Sequence, residues 1–340
     1  ALSPRIGIAL DARLGSHPGS LNRITLVLLG SCWTLFEFAS VITNTLFVGL
    51  VKDVVPTQLL GRFYGAFRAL SLLAGIVFGF YLLGAAETHF LALGLAIAAL
   101  FGAGFGVMCL KVREGAYPAP AEPAGGRSRP IPGAVGDYCR ECFGRPYYLW
   151  FYSTVALAAM AFVPVNLFSL FFAQRVELPL SAYGKCIALT YVISLAAAYP
   201  IGWLSDRFHP LTVGRWAIAT YAVVALLGGW FATTASRFSV ALVAHGVASG
   251  VWMTAAAAMF PRLLPHRNFA QFYSAAWIAI SVGTLIAAPA VGFILDRSGH
   301  TYRYTFIASG ILAVMAMTAL QRLYRRFLAL GGPAHYAAPE

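Results

Sequence analysis

One acidic residue, Glu37, falls near the middle of a long apolar stretch, while the other eleven Asp and Glu residues lie in polar segments or at the ends of apolar ones. A carboxyl at such a position is costly and is by default a functional candidate. It suits binding a proton or cation, or accepting hydrogen bonds from hydroxyls. Trp33, Ser40 and Asn44 stand at −4, +3 and +7 from Glu37 and share its face on a helix. Asn166 follows Pro164, with Phe162 and Ser169 on the same face, and His245, Ser249 and Trp252 form a comparable stripe. Proline frees a backbone carbonyl, which is useful where helices break around a solute. Aromatic faces stack on sugar rings, and Asn, His and Glu hydrogen-bond hydroxyls. The set Glu37, Trp33, Asn44, Asn166, His245 and Trp252 therefore suits a sugar together with a proton or sodium ion. The structural alternatives are a neutral or ion-paired Glu37 and a His245 engaged only in helix packing.

Other chemistries find no motif. The chain contains no H-E-x-x-H, G-x-S-x-G or G-x-x-x-x-G-K-[ST] pattern, so metalloprotease, hydrolase and ATP-driven readings lack their residues. A membrane-embedded enzyme would need paired catalytic groups, for which only Glu37 and His245 are available. We read the chain as not an enzyme and as needing no cofactor. Cys139-x-x-Cys142 has metal-like spacing but no second ligand pair nearby, and five cysteines make no disulfide framework.

The elements that must carry these residues are set by hydrocarbon thickness. The chain is 59% apolar and 11% charged, with a mean hydropathy of +0.74, outside the usual make-up of a soluble domain. A bilayer core of roughly 30 Å needs about 20 apolar residues per helix. Spans are expected near 24–49, 66–84, 89–110, 148–173, 185–204, 213–235, 238–260, 271–295 and 304–323. Between the third and fourth lies a polar stretch, 111–147. Its first part is rich in Pro and Gly and reads as a flexible linker; residues 134–147 read as a short interfacial helix. If the first span runs inward, sixteen of the 24 Lys and Arg residues lie on the cytoplasmic face and eight on the other. That bias puts the N-terminus outside and the C-terminus in the cytoplasm. The net charge of +12 is scattered over short loops rather than gathered on one helix face, so nucleic acid is not an expected partner.

Three spans followed by six is the pattern left when the first three of twelve helices are missing. Residue 1 is Ala, and residues 1–22 lack the basic start and continuous apolar core of a signal peptide. They read as an external loop; cleavage of a signal peptide before Ala1 is the competing explanation. Pro56-Thr-Gln-Leu-Leu-Gly-Arg-Phe63-Tyr64-Gly65 aligns with Pro265-His-Arg-Asn-Phe-Ala-Gln-Phe272-Tyr273-Ser274 at an offset of 209, as parallel transporter repeats would. The expected parts are an incomplete bundle over 1–110, a cytoplasmic linker over 111–147, a six-helix bundle over 148–323 and a cytoplasmic tail over 324–340.

Gly202-Trp-Leu-Ser-Asp206-Arg207, with Arg215 following, resembles the G-x-x-x-D-R motif of the major facilitator superfamily. There the motif joins the second and third helices of each half. Physically, Gly202 would let two helices approach, and Asp206 could cap the next helix and pair with Arg207 or Arg215. The usual residues after the motif are replaced by Phe208-His209-Pro210. The resemblance implies an all-α integral membrane protein with the major facilitator fold, nine helices present, in the inner (plasma) membrane. It implies alternating access, with Gly202, Asp206, Arg207 and Arg215 as gating residues. By the twelve-helix count, the spans holding Asn166 and His245 are the seventh and tenth, which line the superfamily's central cavity. Val51-Lys52-Asp53-Val54-Val55-Pro56, Gly61-Arg62 and Arg68 are similar to sugar:cation symporters of the glycoside-pentoside-hexuronide type. This implies ion-coupled symport of a sugar or glycoside; efflux antiport of amphipathic compounds and a non-transporting receptor-like role are the alternatives. Arg68 lines up with Ser71, Gly75 and Gly79, so it pairs with an acid or snorkels to the interface, and Gly75-x-x-x-Gly79 is expected to be a packing seam.

Overall fold

A computed structural model describes residues 20–54, 60–112, 131–265 and 268–339. Among the described residues every regular element is helical, as expected where no water is present to satisfy an open backbone. Seven helices among them are long and apolar enough to cross a membrane. Two further apolar helical stretches, Ile24–Ser40 and Ala69–Leu82, lie within the first two of the nine expected spans. The described residues form two compact units, one drawn from 1–71 and 85–122 and the other from 72–84 and 123–340.

The first unit contains α1 (Ser20–Val54), the start of α2 (Leu60–Val77) and α3 (Ala86–Lys111). The Phe47 ring of α1 lies 5.4 Å from that of Phe67 in α2 and 6.5 Å from that of Phe105 in α3. Among the described residues no side chain of α3 is buried.

The second unit holds the end of α2, a π-helical turn (Phe78–Leu82), α4 (Ile131–Phe143), α5 (Pro146–Arg175), α6 (Leu180–Phe208) and α7 (Pro210–Phe231). It continues through α8 (Ala235–Ala257), α9 (Met259–Leu263), α10 (Phe269–Arg297), α11 (Arg303–Ala329) and α12 (Gly332–His335). Helix α5 packs against α11 and α10; α11 also packs on α7, α7 on α8, and α8 on α6. Small residues permit this closeness, which matters because lipid supplies no hydrophobic drive between helices. Ala158, Ala161, Ala313 and Ala316 are fully buried. A Cβ at Gly228 would lie 2.6 Å from the Phe306 ring, and one at Gly310 would lie 2.6 Å from Leu226. Tyr148, Phe151, Tyr152, Phe260 and Phe272 form a ring cluster at one end of α5.

Residues 72–84 fall with the second unit rather than with the first three spans, and glycine is the reason. A Cβ at Gly79 would lie 2.8 Å from the Gly184 carbonyl oxygen, and one at Gly84 would lie 2.9 Å from the Ser181 Cβ. A Cβ at Gly75 would lie 2.6 Å from the Tyr191 ring. Gly75 and Gly79 thus form a seam against α6. At the far end of the chain, the Tyr336 hydroxyl donates to the Leu263 carbonyl and that of Tyr148 donates to the Pro339 carbonyl, both at 2.7 Å. These bonds fold residues 332–339 back onto the bundle. Helix α4 is tied in by Glu141, which accepts from Asn268 at 2.6 Å and Gln271 at 2.9 Å.

Candidate functional site

Two of the polar residues singled out in the sequence meet in the second unit. Asn166 of α5 places Oδ1 3.0 Å from His245 Nε2 of α8. The other ring nitrogen, Nδ1, lies 3.0 Å from the hydroxyl of Tyr221 on α7. That hydroxyl donates to the Ala161 carbonyl of α5 at 3.0 Å. Pro164, which has no N–H to give, removes the helical bond to the neighbouring Met160 carbonyl. The line Asn166, His245, Tyr221, Ala161 thus links three helices. Its inner part is buried, His245 being 2% exposed, whereas Asn166 is exposed. Phe306 of α11 sets its ring edge-on to His245 at 6.2 Å, and Phe162 does so to Tyr221 at 4.7 Å. Gly246 lets α6 approach closely, its absent side chain leaving room for Thr190.

A second polar contact sits on the same side of α5, where the hydroxyls of Ser169 and Tyr183 are 2.8 Å apart. Tyr221 and Tyr183 were not anticipated. Tyr221 lies in a run of Ala, Val and Ile with no polar neighbour at helical spacing, so no periodic signal marks it.

The remaining candidates are elsewhere. Trp252 is 3% exposed and packed in the core, with Gly214 beside its ring; neither ring face is open. Ser249 donates to the Gly246 carbonyl of its own helix at 2.9 Å. Glu37 and Trp33 are on the exposed face of α1 in the first unit, Trp33 with its ring 5.9 Å from Phe36. Asn44 and Arg68 belong to α1 and α2, and their side chains lie outside the described residues. Among the described residues no three His, Cys, Asp or Glu gather as metal ligands. Burial pushes the Cys142 thiol up, away from the thiolate a metal needs.

The G-x-x-x-D-R segment differs from expectation in its contacts. Asp206 pairs with Arg262 of α9, Oδ1 to Nη2 at 2.7 Å, and not with Arg207 or Arg215. Those two guanidinium groups lie over aromatic rings, Arg207 on Trp203 at 5.2 Å and Arg215 on Tyr324 at 4.4 Å. The cap of α7 is His209, whose Nδ1 accepts from the Leu211 N–H at 3.3 Å. His209 adopts φ 72° and stacks on Phe327 at 4.5 Å. Its pKa is lowered to about 4 by burial and the neighbouring Arg262 charge. A Cβ at Gly202 would meet none of the described residues within 4 Å, so this glycine makes no close approach among them.

Comparison with known proteins places these features. Over 169 residues, the chain is 25% identical to the purine ribonucleoside efflux pump NepI of Escherichia coli O127:H6, a stretch covering 49% of this chain and 41% of that protein. It is 24% identical over the same length and shares to NepI of Shigella flexneri. The matched region thus spans less than half the length of these relatives. A crystal structure of a bacterial homologue of the iron transporter ferroportin in an outward-facing state shares the fold. Its TM-score is 0.59 at 16% identity, over 96% of this chain and 80% of that one. The sequence profile of the Major Facilitator Superfamily matches residues 149–329, a stretch that includes the Asn166–His245 contact and the Asp206 motif but not the segment 44–75. More than half of the chain is covered by that profile, and the chain belongs to the Major Facilitator Superfamily.

Proposed function

We propose that this chain acts in secondary active transport, moving a small hydroxylated solute by alternating access at the expense of an ion gradient. The observation that carries this reading is the Asn166–His245 contact, 3.0 Å long. Within two apolar helices it offers one exposed amide backed by a buried imidazole. Polar groups inside spans mark solute and ion pathways, and Asn and His are the residue types that hydrogen-bond hydroxyls. Glu37, on an exposed face of α1, is the proposed partner for the coupling proton or sodium ion. Gly202, Asp206, Arg207 and Arg215 are proposed to act on the conformational switch, since they stand at the end of α6 and the start of α7.

The solute class proposed is a glycoside. Sugar:cation symport rests on the segment 44–75. The relatives named as purine ribonucleoside efflux pumps support a glycoside of another kind, a ribonucleoside, and support outward movement. Ribose supplies the hydroxyls that Asn166 and His245 can bind. We place the C-terminus in the cytoplasm from the distribution of Lys and Arg.

The test is transport by the protein in proteoliposomes, using labelled adenosine, inosine and a panel of hexoses and pentoses, with and without imposed proton or sodium gradients. Gradient-dependent movement of a nucleoside supports the reading. Movement of hexoses alone restores sugar symport. Movement of none, with or without a gradient, overturns it.

A further inference from the structure

We infer that His245 is a proton-binding site whose state sets which end of the Asn166 amide faces outward. The argument is a count of hydrogens. Tyr221 carries one hydroxyl proton, and its oxygen lies 3.0 Å from the Ala161 carbonyl oxygen and 3.0 Å from His245 Nδ1. A carbonyl only accepts; we place the Tyr221 proton in the bond to Ala161, so that the Tyr221 oxygen accepts from Nδ1–H. Tyr221 is fully buried and His245 nearly so, so no bulk water takes up a bond left unmade.

With the proton of the neutral ring on Nδ1, Nε2 is a bare lone pair 3.0 Å from Asn166 Oδ1 as the amide stands in the structure, which is the orientation that suits a protonated Nε2. A lone pair cannot face the amide oxygen favourably. In the neutral state the Asn166 NH2 therefore turns inward to donate to Nε2, and the oxygen turns outward. When a proton arrives at Nε2, the new N–H donates to the amide oxygen, and the NH2 turns outward. A half turn of the amide about its Cβ–Cγ bond interconverts the two. The protonated arrangement aligns three donors in series, from Nε2–H to Asn166, from Nδ1–H to Tyr221 and from Tyr221 to Ala161. Such charge-assisted bonds offset part of the cost of an ion in an apolar bundle. Facing the ring are Asn166 from α5, Tyr221 from α7 and Phe306 from α11, while Thr190 of α6 meets the adjacent Gly246. Tyr221 is the one titratable group among these, and phenols ordinarily ionise near 10.

The exposed end of the relay thus presents an acceptor when His245 is neutral and a donor when it is charged. A solute hydroxyl held by the outward oxygen loses its partner when the proton binds. This exchange of proton for solute is the antiport form of the function proposed above, and only its solute half rests on that reading.

The test is 15N NMR of the protein in nanodiscs, labelled at histidine and asparagine. The His245 signals are identified by their loss in His245→Gln, and the Asn166 amide by its loss in Asn166→Leu. The expected result is a neutral ring protonated on Nδ1, a doubly protonated ring on acidification, and an Asn166 amide nitrogen shift that titrates with it. In Asn166→Leu both forms lose their bond to the amide, the imidazolium the stronger one, and the ratio of charged to neutral ring at the parent's midpoint falls about tenfold. A neutral ring protonated on Nε2, a ring that never charges, or an Asn166 amide indifferent to the titration overturns the proposal. Adding adenosine separates the two readings. If the titration behaves as expected and adenosine neither binds nor shifts it, the nucleoside assignment fails while the proton site stands.

Discussion

Gly184 and Gly202 lie on the same helix, α6, and the same substitution should act on them with opposite sign. Replacing a helix-interior glycine by alanine removes backbone entropy from the unfolded chain and gains about 1 kcal/mol where space allows. At Gly202 space allows it, because a Cβ there meets none of the described residues within 4 Å. At Gly184 the new Cβ would press on the Gly79 carbonyl oxygen and lie 3.1 Å from the Leu83 Cβ. A backbone oxygen cannot swing aside as a side-chain tip can, so the segment 72–84 must move off α6. Overpacking of this kind costs about 1–3 kcal/mol. The helical gain is common to both variants, so their difference is the overpacking cost alone. Gly202→Ala should gain up to about 1 kcal/mol, and Gly184→Ala should fall below it by about 1–3 kcal/mol. The assay is the apparent melting temperature of purified protein in one detergent, with the two variants and the parent side by side. Gly184→Leu should deepen the loss. If Gly184→Ala melts with or above Gly202→Ala, the close approach of residues 72–84 to α6 is not a feature of the folded protein, and the reasoning fails.

The Asp206–Arg262 pair is largely open to solvent, with side chains 73% and 39% exposed, so Asp206→Asn should cost less than about 1 kcal/mol of stability. Under the gating proposal it should slow transport with little change in solute affinity; lost affinity at unchanged turnover would place Asp206 in the binding site instead. His209 has a pKa lowered from 6.5 to about 4, so between those values the unfolded chain binds more protons than the folded one. Stability should therefore rise with pH through that window and be lost as pH falls from 6.5 toward 4. Melting measured across the window should show this slope in the parent and a smaller one in His209→Asn, a residue that tolerates positive φ; equal slopes would remove His209 as its source. Glu37→Gln keeps the side chain's shape and removes its charge. Accumulation against a gradient should be lost while downhill exchange persists, and undiminished accumulation would make Glu37 structural.

Much of the architecture was legible before any coordinates. Hydrocarbon thickness is a one-dimensional constraint, so long apolar runs locate the helices from α3 onward, and the polar stretch between them is plain in the composition. The place of Gly202-x-x-x-Asp206-Arg207 at the end of α6 also follows from counting along the chain. Asn166 and His245 could be named singly, because a polar residue in an apolar span stands out. Their contact could not be foreseen, nor could Tyr221 as the group between His245 and the α5 backbone.

The residues themselves therefore determined that the chain is helical, that it belongs in a membrane, and which polar groups are out of place there. The tertiary structure decided which of those groups meet. It turned Trp252 into the core, brought Arg262 rather than Arg207 or Arg215 to Asp206, and set residues 72–84 against α6. The physical reason is that nearly every face of these helices is apolar. Hydropathy then gives no preferred rotation about the helix axis, and the facing of each helix is settled by where glycine and alanine allow close approach and where buried hydrogen bonds must be completed.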